Sequence, residues 1–218
     1  MHRSPISQMI FLIAVVAVIA GCSRPGIKGD GVIKSTNRPI SDFSELAAAG
    51  AYKITWSSGQ PALTISTDQN LLPLIKTSVS GNTLRIDCEG TLAPTKRITI
   101  NVSSASLSDV QLAGAIHLTA GKLSGPKLKL ESNGASSIDA DGSVTNLEAN
   151  FAGACKLNAR SLQTETAAVS LVGASSADVN VTGTLKVSIA GAGALTYSGN
   201  PKSVEKNISG AGSIQPRP

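Results

Sequence analysis

Asp139, Asp141, Glu148 and Asp178 lie in the second half of the chain, with Tyr197 beyond them. Positioned carboxylates beside an aromatic sugar platform are the apparatus of glycoside and polysaccharide cleavage, so a polysaccharide lyase or glycosidase is the enzyme these residues would allow. Polar turn residues account for the same side chains. His117 is the one histidine after His2, and no Cys or carboxylate cluster stands near it at ligand spacing, so no metal ligand is assigned. No Gly-x-Ser-x-Gly accompanies the many serines, and His117 has no evident partner for nucleophilic hydrolysis. Gly191-Ala192-Gly193 and Gly210-Ala211-Gly212 do not continue into a dinucleotide or P-loop pattern. With no catalytic, cofactor-binding or metal residue assigned, the chain is read as non-enzymatic.

The cysteines carry a different chemistry. His2 and Arg3 precede an uncharged apolar run from Met9 to Ala20, which is the length of a signal-peptide core and short for a membrane span. Val18-Ile19-Ala20-Gly21-Cys22 follows and looks like a bacterial lipobox, predicting removal of residues 1–21 and lipid attachment at Cys22. Several acyl chains anchor stably where one binds only marginally. Ser23, in place of the Asp that signals inner-membrane retention, favours the outer membrane. Residues 22–31, with Pro25, Gly26, Gly29 and Gly31, read as a flexible tether. Cys88 and Cys155 share no framework spacing; Cys155 is read as a small buried or corner thiol in preference to half of a disulfide.

The elements that position these residues show in a repeat. A Gly-Ala pair returns at Gly114, Gly134, Gly153, Gly173, Gly191 and Gly210, at intervals of 18 to 20 residues, and a fixed period of that size marks a solenoid. Four residues after each Gly stand Leu118, Ile138, Leu157, Ala177, Leu195 and Ile214; four before it stand Val110, Leu130, Ala149, Val169, Val187 and Lys206. Alternation with period two on both sides predicts a strand before each corner and another after it. The expected fold is all-β, a parallel β-solenoid whose coils stack aliphatic ladders, and the 3% aromatic content suits such a narrow interior.

Residues 32–107 differ in texture and are assigned to an N-terminal cap and early coils, with 108–214 as the repeated coils and 215–218 as a tail. Leu63 and Ile65, Leu84 and Ile86, then Ile98, Ile100 and Val102 mark three strands, with a hairpin turn at Ser80-Gly81-Asn82. Asp68 is expected to cap a short helical turn through Leu72, ended by Pro73. Gly50-Ala51, with Ile54 and Trp56, reads as an early coil followed by irregular or inserted ones.

Cleavage would leave 18 basic residues against 14 acidic, a net +4, with Lys127, Lys129, Lys156, Arg160, Lys186, Lys202 and Lys206 forming no run. That is a solvated surface with at most weak attraction for acidic lipid or polysaccharide. The exported address and scarce stacking aromatics disfavour nucleic acid.

Arg38-Pro39-Ile40-Ser41-Asp42-Phe43, Gly50-Ala51-Tyr52-Lys53-Ile54-Thr55, Asp68-Gln69-Asn70-Leu71-Leu72-Pro73 and the Ser209–Ser213 corner together resemble the bacterial family called putative auto-transporter adhesin, head GIN domain, over about Val32 to Ile214. The resemblance implies a right-handed parallel β-solenoid on an exported, often lipid-anchored protein. Asn133, Cys155 and Val172 depart from its corner pattern, and it supplies no catalytic residues. The expected role is a non-catalytic binding or adhesion module of the cell envelope, held to the membrane through Cys22, with an envelope glycan or protein as partner. A self-assembling scaffold is the alternative.

Overall fold

The computed structural model describes residues 26–217; the signal segment and Cys22 lie outside the described residues. Ahead of the repeats come β1 (Ile27–Lys28), β2 (Ile33–Arg38), β3 (Glu45–Gly50), β4 (Tyr52–Ser58), β5 (Ala62–Asp68), a 3-10 turn over Leu72–Leu74, β6 (Ile75–Ser80), β7 (Thr83–Cys88), β8 (Leu92–Ala93) and β9 (Ile98–Ser104). The repeats are β10 (Asp109–Gly114), β11 (His117–Gly134), β12 (Ser137–Gly153), β13 (Lys156–Gly173), β14 (Ser176–Gly191), β15 (Ala194–Ser198), β16 (Ser203–Gly210) and β17 (Ser213–Pro216). Each of β11 to β14 wraps a whole coil and pairs in parallel with the coil before it. The chain is a β-solenoid of about five turns.

Glycine is what lets the coils close. Gly134 has φ +124°, and a β-carbon there would stand 2.6 Å from the carbonyl oxygen of Gly114. The Ala135 N–H donates to that same oxygen at 2.8 Å, and Ala115, Ala154, Ala174 and Ala192 repeat the bond to the Gly one coil earlier. Two residues after the corner the side chain turns inward. Ser136 Oγ donates to the Gly114 carbonyl at 3.3 Å, Ser175 Oγ to the Gly153 carbonyl at 3.1 Å, and the buried, free thiol of Cys155 fills the equivalent place. The departures at Asn133, Cys155 and Val172 leave corner geometry intact, since Gly153 and Gly173 keep φ at +113° and +94°.

The ladders stack in register. Leu46, Val110, Leu130, Ala149, Val169 and Val187 pair in sequence up one sheet; Ile54, Leu118, Ile138, Leu157, Ala177, Leu195 and Ile214 do so up the other. All but Ile214, which is half-buried, are buried. Where one layer is small its neighbour is large: Trp56 sits on Ala120, and Phe151 on Ser132.

Gly50 stacks directly under Gly114, so the coil of β3 and β4 is the immediate neighbour of β10 and β11. Residues 59–107 are an inserted excursion that closes the N-terminal end. β7 and β9 extend the two sheets in parallel by one layer; antiparallel β6 then finishes one edge, and β5 followed by β2 the other. The predicted hairpin joins Ser80 to Thr83, with Gly81 at φ +59°.

Four local expectations are corrected. Pro73 lies inside the 3-10 turn rather than ending it, and the Asp68 side chain does not cap it. Asp68 is buried, accepting from the Gly31 N–H at 2.8 Å and from Thr95 N–H and Oγ1 at 2.9 and 2.6 Å. Asn70 bonds to Asp30 and Lys28, and β1 pairs with β8. The described part of the segment expected as a tether, residues 26–31, is therefore fastened to the cap. Arg38 clamps the turn, donating to the carbonyls of Leu72 and Ile75 and to Thr77 Oγ1. At the far end Gln215 and Pro216, expected in the tail, belong to β17, and the Arg217 N–H reaches the Tyr197 carbonyl at 2.7 Å.

Candidate functional site

The alternation that buries Leu118, Ile138 and Leu157 turns their neighbours outward. On the sheet that follows the corner these form two columns, one of Lys53, His117, Ser137, Lys156 and Ser176, the other of Thr55, Thr119, Asp139, Asn158, Asp178 and Thr196. Like positions recur at strand spacing, about 4.7–4.9 Å. Asn158 Nδ2 donates to Asp139 Oδ1 at 2.9 Å, with His117 Nε2 3.6 Å from Asp139 Oδ2. Arg160 Nε donates to Asp178 Oδ2 at 2.6 Å, Arg217 bonds to the same oxygen, and Asp178 Oδ1 is buried without a partner among the described residues. A depression of about 430 Å³ follows the columns, lined in part by Ser137, Asp139, Lys156, Asn158, Asp178 and Thr196.

The four carboxylates named as enzyme candidates do not gather at one site, although Asp139 and Asp141 line a common shallow depression with Thr119, Asn158 and Ser161. Asp139 and Asp178 share this face but stand two coils apart, about 9–10 Å at strand spacing, and two guanidinium groups occupy Asp178. Asp141 accepts the Lys122 N–H at 2.7 Å and holds the coil's second bend, where Lys122 takes φ +57°. Glu148 is on the other sheet, where a 2.9 Å bond from Lys127 holds its carboxyl below the usual range despite some desolvation. Tyr197 is half-buried under Lys206, whose ammonium lies 5.6 Å from the ring centre, so it offers no open stacking platform. Among the described residues no group of three His, Cys, Asp or Glu is placed to hold a metal, and no helix is long and apolar enough to cross a membrane.

Outward charges on the first sheet are largely spent on one another. Lys129 meets Glu131 at 2.8 Å and Asp109 at 3.9 Å, and Lys186 meets Glu205 at 3.2 Å. Burial raises the Asp109 carboxyl, with the Lys129 ammonium opposing the shift. Sequence reading noted the acids but not Asn158 or Thr196; reading the position five after each Gly would have found both.

Residues 42–201 match the family described as "Putative auto-transporter adhesin, head GIN domain". The chain belongs to this family. The matched range is shorter than the stretch over which the sequence resembles a head GIN domain, although the coils run on through β17. Three crystal structures share the fold. A putative adhesin from Bacteroides fragilis has a TM-score of 0.72 at 18% identity, over 88% of this chain and 100% of its own. A putative lipid binding protein from Parabacteroides distasonis gives 0.57 at 23%, over 88% and 99%. A putative adhesin from Parabacteroides merdae gives 0.51 at 17%, over 88% and 99%. At these identities the likeness is one of fold. No curated protein matches the chain. Membership in the head GIN family fits an adhesin-like binding role.

Proposed function

We propose that this head GIN domain is a non-catalytic binding module of the cell envelope, whose post-corner face takes up a polar, repeating ligand of glycan type. One observation carries the reading: polar side chains recur coil after coil along one depression, Asp139, Asn158, Asp178 and Thr196 in one column, so a periodic polymer meets a hydrogen-bonding group at each step. Asn158 and Thr196 are its central contacts. Lipid at Cys22 would hold the module at the outer membrane, facing periplasm or medium.

The test is a glycan array probed with residues 23–218, carrying Asn158→Ala and Thr196→Ala as loss variants and Glu148→Gln on the opposite sheet as control. Selective signal, weakened by the first two and kept by the third, supports the assignment; a folded protein that binds nothing defeats it. Labelled palmitate incorporated into the full chain, but not into Cys22→Ala, is the corresponding test of the anchor.

A scaffold reading has its own observation. β16 is exposed along almost its whole length and pairs on one side only, with Ile208 42% exposed, and such an edge is a template for another strand. Sedimentation as a monomer at all concentrations would dispose of self-assembly.

A further inference from the structure

The column of corner hydrogen bonds stops at Gly50. Above it the corners from Ala115 to Ala192 each rest on the carbonyl of the Gly below. Below it β7 follows β3 only from Thr83 to Ile86, and β9 rejoins β4 at the Tyr52–Ile98 pair. Between these points the chain swings out through residues 88–97 to meet β1. The corner that is missing leaves a cleft of about 250 Å³, lined in part by Gly50, Tyr52, Cys88, Leu92, Pro94 and Ile98.

Three polar side chains, those of Tyr52, Cys88 and Thr91, stand in this largely apolar lining. Tyr52 occupies the inward position that Ser136 and Ser175 hold in later coils, and its ring lies so close under Gly50 that a β-carbon there would fall 2.7 Å from it. The residue is 1% exposed, and its hydroxyl lies beside the Cys88 thiol, a weak acceptor, with no hydrogen bond of ordinary geometry among the described residues. Burial, with the Cys88 thiol nearby, raises the phenol far above its ordinary range, so it stays a neutral donor. Cys88 is free and half-buried, 3.5 Å from the Gly90 carbonyl. A buried donor whose neighbour is only a weak thiol acceptor, on a residue that lines an apolar cavity, is costly until something supplies a better one.

We infer that the cleft between the first corner and the 88–98 loop binds a small apolar molecule carrying one acceptor oxygen, which receives the Tyr52 hydroxyl while the body of the ligand packs on Leu92, Pro94 and Ile98. An apolar cavity of about 150 Å³ takes up benzene, so the space here suits a single ring with a short ketone, aldehyde or ester. The site stands apart from the polar columns and does not depend on the glycan assignment.

Acetophenone and cumene, nearly equal in shape and differing in the carbonyl, are the probes. In isotope-labelled residues 23–218, acetophenone should give saturable shifts confined to the amides around Gly50, Tyr52, Gly90 and Leu92. It should also slow alkylation of Cys88 by iodoacetamide, with buried Cys155 as the unreactive internal control. Cumene should bind about tenfold more weakly, the worth of one hydrogen bond, and Tyr52→Phe should erase that difference while the rest of the spectrum stays folded. Absence of saturable shifts, shifts centred elsewhere, or equal affinity for both probes in the unmutated protein overturns the inference. Should Tyr52→Phe fail to fold, the comparison of the two probes on the unmutated protein decides alone.

Discussion

At Gly134, as at the other corner glycines, two constraints meet. Gly81 also has a positive φ, but a β-carbon there would meet open space, whereas at Gly134 it would meet the Gly114 carbonyl. Gly81→Ala should therefore cost about 1 kcal/mol, the penalty of a left-handed alanine. Gly134→Ala should cost about 2–4 kcal/mol, because strain and a broken corner bond add. Urea titration of the two variants measures the difference, and equal losses would mean that conformation, rather than close approach, fixes the corner. Asp68 makes a prediction about acid. Bonds from the Thr95 hydroxyl, then from the backbone of Thr95 and Gly31, hold its carboxyl below the ordinary value although burial opposes them. A carboxyl depressed on folding adds stability that is complete above its unfolded pKa, about 3.9, and is lost as pH falls through the lower folded value. Thermal melts from neutral pH downward should show Asp68→Asn less stable at pH 7 and less sensitive to acid than the parent protein. A variant that tracks the parent at every pH would remove the carboxylate from the account of acid stability.

Among the elements, β12 carries the one fully buried aromatic of the repeated coils. Phe151, 2% exposed, lies in the column Leu112, Ser132, Phe151, Leu171, Ile189 and fills the space that Ser132 leaves. Phe151→Ala opens that space in two layers at once and should cost about 3–5 kcal/mol in equilibrium unfolding; a loss under 1 kcal/mol would show that the layers collapse to close it. The strands were legible because each coil repeats the same alternation, so six noisy copies average to one clear pattern. Strands β5, β7 and β9 also announced themselves by alternation. Their pairing did not, because parallel and antiparallel neighbours impose the same period two. That Gly50 sits directly beneath Gly114 could not be read either, since the residues between them leave the stack and return. Asp68 looked like a cap because it precedes a turn, yet its partners Gly31 and Thr95 are distant in sequence. Of the candidate face, the acids were visible and their arrangement was not: the face depends on which coil positions point outward, a property of the register.

For the whole molecule, stability should follow coil number, because each coil touches little but its neighbours. Removing residues 135–153 takes out one complete interval between corners and joins Gly134 to Ala154, preserving a Gly-Ala pair. Cys155 then occupies the place of Ser136, Leu157 falls on Leu118, and Leu171 on Ser132, so every inward position still meets an inward position. Removing only residues 135–144 deletes about half a coil, leaves Gly153 without a Gly beneath it and sets the outward residues of β12 against the apolar ladder. The full-interval deletion should keep its β-sheet circular dichroism and a single cooperative melt, several degrees below the parent, and should elute as a monodisperse species. The half-interval deletion should unfold or aggregate. If both fold equally well, the glycine column does not set the register. If neither folds, the coils act as one indivisible core, and the polar face cannot be lengthened or shortened in steps of one coil.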